Sequence, residues 1–237
     1  METLKNKVVY ITGGTKGIGF GVARSLLDVG MRVAISGRSL QTAEKAAETL
    51  GTEDQVLAIE SDVANLENEK DAVSKVIKKW GQLDVVLANA GVGIFAPIDE
   101  ISEADWGNMI DTNLTGAFYT LKASVEALKK SKGYYITLAS LAGTNFFPKG
   151  VGYNASKYGL VGFTQAAMLD LRPHGIKVST IMPGSVATYF NDHVPNAKDA
   201  WKIQPEDIGK LVLDLLTMHP RTLPSKIEVR PSRPDLK

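Results

Sequence analysis

Tyr153 and Lys157 stand at i and i+4, and three glycines, Gly13, Gly17 and Gly19, crowd a short stretch far upstream. On a helix the Tyr/Lys pair shares one face, so the ammonium can lower the phenol's pKa from about 10 towards working pH and make Tyr153 a proton donor and acceptor. Alone, the pair reads equally well as a packing tyrosine beside a solvated lysine. The glycines change its weight. Thr12-Gly13-Gly14-Thr15-Lys16-Gly17-Ile18-Gly19 follows the apolar run Val8 to Thr12 and leads into Ile18, Val22, Leu26 and Val29 at helical spacing. Strand, glycine turn and helix in that order let main-chain N–H groups and a helix N-terminus approach a pyrophosphate. Together the two features point to hydride transfer on a nicotinamide cofactor.

The elements that must hold these residues are legible from periodicity. Seven short apolar runs read as strands: Val8 to Thr12, Arg32 to Ser36, Gln55 to Ser61, Val85 to Asn89, Tyr134 to Ser140, Lys177 to Met182 and Lys226 to Arg230. Between them, sets such as Ala43, Ala46, Ala47, Leu50 and Val73, Val76, Ile77, Trp80 and Ile208, Leu211, Val212, Leu215 repeat with the helical period. Strands apolar on both faces and alternating with amphipathic helices imply an α/β, doubly wound, Rossmann-type fold. The expectation is one domain over 1–237, built on a seven-stranded parallel sheet with helices on both faces. One long excursion, about 188–204, is expected to be a substrate lid, because loops of that length are uncommon unless they have a function.

Composition narrows the function. At 237 residues, with 44% hydrophobic and 22% charged residues, the chain has ample material for a single core. The formal net charge of +1 and the lack of an interleaved basic and aromatic run argue against nucleic acid. The absence of cysteine removes disulfides, thiolate catalysis and Cys-based zinc sites and suits a reducing compartment. No uncharged stretch long enough to span a membrane is present, so a cytoplasmic location and no membrane partner are expected. The three histidines, His174, His193 and His219, are far apart and none has a second ligand at helix or loop spacing, so no metal is expected.

The spacing Thr-Gly-x-x-x-Gly-x-Gly resembles the turn of the short-chain dehydrogenase/reductase family, and the agreement continues through Asn89-Ala90-Gly91, Asn113, Ser140, Tyr153, Lys157 and Pro183-Gly184. The resemblance implies that Asn113, Ser140, Tyr153 and Lys157 are catalytic. Tyr153 would pass a proton to the substrate oxygen and Ser140 would hold that oxygen, stabilising charge as it develops. Lys157 would lower the phenol's pKa and bond the ribose hydroxyls. Asn113 would interrupt helical hydrogen bonding and anchor a water that carries protons from the lysine to solvent. Cofactor contacts are implied for Gly13, Thr15, Lys16, Gly17, Ile18 and Gly19 in the turn, then Arg38 and Ser39, Asp62 and Val63, and Asn89, Ala90 and Gly91 after successive strands. Tyr153 and Lys157 join them, with Pro183, Gly184, Val186 and Thr188 after the sixth strand. Helix capping is the alternative for Asp62 and for Thr188.

Folds that prefer NAD usually place an acidic residue after the second strand, against the ribose 2′-hydroxyl. This chain reads Ser36-Gly37-Arg38-Ser39 there, and Lys16 adds a second cation. An Arg fork can grip a 2′-phosphate, so NADP(H) is expected over NAD(H), the alternative being that both are solvated surface cations. The expected function is an NADP(H)-dependent oxidoreductase that interconverts a carbonyl and a secondary alcohol. An NAD-dependent dehydrogenase, or a non-catalytic NADP(H)-binding redox sensor, stays open.

Ser140, Phe146, Phe147 and Tyr189 are the expected substrate contacts, with Phe95 as a further wall and Phe190, His193 and Trp201 as further lid contacts. The two adjacent phenylalanines suggest an apolar or bulky small-molecule substrate, although packing within the loop explains them as well. The tail, Ile227 to Pro234, lacks the glycine pair with which many relatives finish, which tells against an acyl-carrier-protein reductase. The family's habit of pairing through the helices that hold Asn113 and Tyr153 implies a homodimer or homotetramer.

Overall fold

A computed structural model describes residues 4–233. The two ends of the expected 1–237 domain, including Pro234 of the tail, lie outside the described residues. Val, Ile and Tyr dominate the first strand, β1 (Val8–Ile11), and all its residues are buried. Such stiff side chains pack well only on a pleat covered from both sides. Val8 and Tyr10 enter one apolar layer, Val9 and Ile11 the other.

The chain continues through α1 (Gly17–Asp28), β2 (Arg32–Gly37), α2 (Leu40–Leu50), β3 (Val56–Glu60), α3 (Leu66–Trp80) and β4 (Val85–Ala88). Next come α4 (Glu103–Ile110), α5 (Gly116–Ser131), β5 (Tyr134–Leu138), α6 (Val151–Leu171), β6 (Lys177–Pro183), α7 (Pro205–Thr217) and β7 (Lys226–Val229). The seven strands pair in the order β3-β2-β1-β4-β5-β6-β7, every pair parallel. Buried residues of α3, α5 and α6, such as Val76, Leu128 and Leu160, fill one layer, and Leu26, Ala46 and Val212 of α1, α2 and α7 fill the other. This is the doubly wound sheet expected from the sequence.

The order places the site. After β1 the chain winds outward through β2 and β3, then returns to β4 on the other side of β1. The two windings diverge above β1 and β4, leaving a crevice beyond the carboxyl ends of these strands where a ligand can enter. On the opposite side of the sheet α1 and α7 approach closely: a Cβ on Gly21 would stand 2.5 Å from the Pro205 side chain, so only glycine fits. Among the described residues no helix is long and apolar enough to cross a membrane.

Candidate active site

The crevice is an open cleft of about 850 Å³. Its floor is the turn after β1. Gly13 (φ +62°) and Gly17 (φ +58°) both lie in the left-handed region, which a side chain at either place would strain. The turn is tied to the end of β4: the Asn89 Nδ2 donates to the carbonyls of Thr12 (2.8 Å) and Gly13 (2.9 Å). In return the N–H groups of Asn89 and Ala90 donate to the Thr12 hydroxyl at 3.0 and 3.1 Å. Gly19 belongs to this join. A Cβ there would stand 2.6 Å from Asn89 Nδ2 and 2.8 Å from the Gly13 carbonyl. Thr15, Lys16 and Ile18 complete the turn's contribution to the cleft, with Ala90 and Gly91 facing it from β4.

At one end of the cleft stand Gly37 and Arg38, beyond β2, and Ser61, Asp62 and Val63, beyond β3. A Cβ on Gly37 would come 2.9 Å from the Thr15 methyl, so glycine lets β2 approach the turn. Asp62 accepts from the Ala64 N–H at 3.0 Å, but the residue that caps α3 is Asn65, which accepts from the N–H groups of Glu67 and Asn68.

The other end is built by the chain between α4 and α5, by α6 and by the strand ends of β5 and β6. Tyr153 and Lys157 occupy the first turns of α6 and Ser140 follows β5; all three line the cleft. Asn154 fixes α6 against the Ser140 loop, its Nδ2 donating to the carbonyls of Ala142 (2.7 Å) and Asn145 (2.8 Å). Between α4 and α5 the helix widens into a π-helical turn, Asp111–Thr115, centred on Asn113. Asn113 is buried. Its Oδ1 accepts from the Val92 N–H at 2.8 Å, and its Nδ2 donates to the Val92 carbonyl and the Ser156 hydroxyl, each at 2.9 Å. A Cβ on Gly91 would lie 3.1 Å from Asn113 Oδ1 and 3.5 Å from Lys157 Nζ, so the bare backbone of Gly91 brings these groups together.

The electrostatics differ from the sequence expectation in one respect. Burial pushes the Tyr153 phenol above its ordinary value, and the Ser140 hydroxyl opposes the rise only in part. The Lys157 ammonium, which was expected to lower it, lies 5.7 Å from the ring centre and donates to the Leu138 carbonyl at 3.0 Å. Burial lowers Lys157 itself to about 8. Burial is the main cause of both shifts.

After β6, Pro183, Gly184, Val186 and Thr188 border the cleft, and the 188–204 segment departs from its rim. Val186 and Ile203 form a parallel bridge, Ala187 N donates to the Ile203 carbonyl at 2.9 Å, and Ile203 N donates to the Ser185 carbonyl at 3.1 Å. Inside the loop the buried Asp199 gathers its neighbours: Lys202 Nζ and His193 Nε2 each lie 2.6 Å from a carboxylate oxygen, and Asn196 N donates at 3.0 Å. These partners hold Asp199 well below the usual carboxylate range.

Residues 7–199 match the family model for short chain dehydrogenases. The chain belongs to the short chain dehydrogenase family. An uncharacterized oxidoreductase of Staphylococcus aureus (strain USA300) is 32% identical over 232 residues, which are 98% of this chain and 100% of the relative. An alcohol dehydrogenase from the archaeon Thermococcus sibiricus, solved in complex with 5-hydroxy-NADP, superposes with a TM-score of 0.90 at 31% identity, covering 98% of this chain and 100% of that one. A 3-ketoacyl-(acyl-carrier-protein) reductase from Brucella melitensis, in complex with NADH, has a TM-score of 0.89 at 23% identity over 97% and 99% of the two chains, a likeness of fold.

The chemistry of this short chain dehydrogenase's cleft fits a nicotinamide dinucleotide. The glycine turn and the start of α1 offer an anion site, Arg38 and Lys16 supply positive charge at one end, and three candidate catalytic side chains stand at the other. Seven expected residues do not line the cleft: Gly19, Ser39, Asn113, Phe146, Phe147, His193 and Trp201. Gly19 and Asn113 support it from behind, as described. Ser39 caps α2 by accepting from the Thr42 N–H. Phe146 is 87% exposed and points away, and Phe147 reaches the site only through Phe95, at 5.7 Å between ring centres. Tyr189 lines the cleft, whereas His193 is held by Asp199 and Trp201 faces elsewhere. The sequence did not single out Val92, Gly93, Ile94, Thr112 and Asn191, which also line it. Gly93 was legible in principle, as a glycine beside the Asn89-Ala90-Gly91 motif; the others carried no signal.

Proposed function

We propose that this protein is an NADP(H)-dependent oxidoreductase that interconverts a carbonyl compound and a secondary alcohol, with Tyr153 as the acid and base. The observation that carries the reading is the arrangement of one cleft: Ser140, Tyr153 and Lys157 at one end, Lys16 and Arg38 towards the other. The reduced nicotinamide, when bound, supplies two electrons and a hydrogen to the carbonyl carbon and is oxidised. Ser140 holds the carbonyl oxygen, and Tyr153 gives it the proton that completes the alcohol. The raised phenol pKa keeps that proton in place at neutral pH, the state reduction requires. Lys157 brings the one buried positive charge of this end close to the developing negative oxygen.

Arg38 and Lys16 support the 2′-phosphate reading, since neither forms an ion pair among the described residues. The bound 5-hydroxy-NADP of the Thermococcus sibiricus enzyme is in keeping with it. The 188–204 segment acts as a lid over the carbonyl. We further infer a homo-oligomer in the cytoplasm, joined through the outer faces of α5 and α6, where Phe118, Tyr158 and Leu169 are exposed. The deciding experiment follows NADPH and NADH oxidation at the cofactor's absorbance across keto esters, aromatic ketones, diketones, quinones and sugars. Turnover favouring NADPH is expected; tight NADPH binding with no turnover of any carbonyl would replace the enzyme by a sensor.

A further inference from the structure

The two ends of the cleft differ in chemistry. The charged residues that line it are Lys16, Arg38, Asp62 and Lys157. The first three stand on the turn after β1 and at the ends of β2 and β3, and Lys157 is committed to the Leu138 carbonyl. Beyond Tyr153 the walls are aromatic. The Phe95 ring meets Tyr153 edge-on at 5.5 Å, Phe190 meets Tyr153 at 5.7 Å, and Phe95 and Phe190 pack edge to face at 6.4 Å. Phe147 backs Phe95 from outside. The Phe190 ring presses on Gly93 so tightly that a Cβ there would overlap it.

No free cation reaches this end among the described residues. Lys149 and Lys198 are exposed and off the lining, while Lys202 and His193 are both bound to Asp199. A carboxylate or phosphate next to the reacting carbon would therefore be desolvated against three rings with no partner, which is costly. A flat apolar group would extend the aromatic cluster at spacings these rings already adopt among themselves.

We propose that the substrate is an uncharged ketone or aldehyde bearing an aryl or similarly flat apolar group on its carbonyl carbon, an inference that rests on the reductase reading. The group packs against the cleft-facing surface of the Phe95–Phe190 pair while the oxygen takes hydrogen bonds from Ser140 and Tyr153. The carbonyl carbon gains a hydride from the dihydronicotinamide and the oxygen gains the Tyr153 proton, which solvent restores; the carbonyl is reduced to an alcohol and the cofactor is oxidised.

The test compares methyl phenylglyoxylate with its free carboxylate, phenylglyoxylate, and with methyl pyruvate, at neutral pH with NADPH and with NADH. The aryl ester is expected to exceed methyl pyruvate in kcat/KM by about tenfold or more, the worth of one buried ring, and to exceed phenylglyoxylate by roughly a hundredfold, the cost of an unpaired buried charge. Phe95→Ala and Phe190→Ala should each narrow the preference for the aryl ester over methyl pyruvate. Equal use of phenylglyoxylate, a preference for methyl pyruvate, or an unchanged preference in both variants would overturn the inference and leave the reductase standing. Silence with all three, in a protein that reduces another carbonyl, overturns it as well; silence with every carbonyl overturns the reductase reading too.

Discussion

The Lys157 ammonium lies 3.0 Å from the Leu138 main-chain carbonyl, and no ion pair among the described residues includes it. A buried cation with one neutral acceptor is a cost to the fold. Its pKa of about 8 in the folded protein compares with 10.5 ordinarily. Below pH 8 both states are protonated and the penalty is fully present, on the order of 3 kcal/mol. Between 8 and 10.5 the unfolded chain binds the proton more tightly, so stability rises with pH and the penalty disappears at the top of that window. Lys157→Met should therefore be inactive yet more stable than the parent at pH 7, with the gap closing by pH 10.5. Urea unfolding across this range checks it; a constant gap would show that packing, not charge, sets the difference.

The same group sets a pH limit on turnover. Since the Tyr153 phenol titrates above its ordinary value, kcat/KM for carbonyl reduction should fall above about pH 8 with the loss of the Lys157 proton. Tyr153→Phe should lower turnover by roughly 10²- to 10⁴-fold, the usual worth of a positioned general acid, and leave NADPH affinity close to the parent's. A rate profile flat to pH 10 would remove the lysine from the acid's environment, and a Tyr153→Phe protein with parental turnover would dismiss the tyrosine.

Arg38→Ala removes the guanidinium proposed to hold the 2′-phosphate. A charge-assisted hydrogen bond is worth about 1.5–3 kcal/mol, so KM for NADPH should rise on the order of ten- to a hundredfold while KM for NADH changes little. Equal rises for the two cofactors would mean that Arg38 serves the shape of the loop and not the phosphate.

Asp199→Asn removes the charge that draws His193 and Lys202 together inside the 188–204 segment. Apart from Ile203, which the Val186 bridge holds in place, the sheet and both apolar layers lie outside the segment, so the melting temperature should change little. Cleavage by a protease within 189–202 should become faster, and KM for the carbonyl should rise several-fold with NADPH affinity preserved. Parental protease resistance would show that the Val186–Ile203 pairing alone orders the loop.

The sheet was legible because its strands are covered on both faces, which writes continuous apolar runs into the sequence at intervals that only parallel winding explains. The turn after β1 was legible for a related reason: Gly13 and Gly17 need a left-handed backbone. The aromatic end was legible in part: Phe95, Tyr189 and Phe190, named from the sequence, line the cleft, whereas Phe146 and Phe147 do not. Phe146 and Phe147 are adjacent, and which of them approaches the site depends on how the loop folds back near Lys149, itself at φ +66°, and no periodicity governs that. Phe190 turns inward because Gly93 leaves room for its ring, a contact between segments distant in sequence. The Tyr153 electrostatics escaped for a different reason: spacing reveals a neighbouring charge but not how deeply the phenol is buried.

The pairing of Ala187 with Ile203 fixes where the 188–204 segment leaves the scaffold and where it returns, whatever runs between. Because the entropy of closing a loop grows only slowly with its length, the stretch between these residues is an exchangeable cassette. A different one could be spliced into the same two anchors without disturbing the glycine turn or the strand order. Rewriting the chain beyond Thr188 would then change one rim of the cleft while the glycine turn, the strand order and Thr188 itself stay in place.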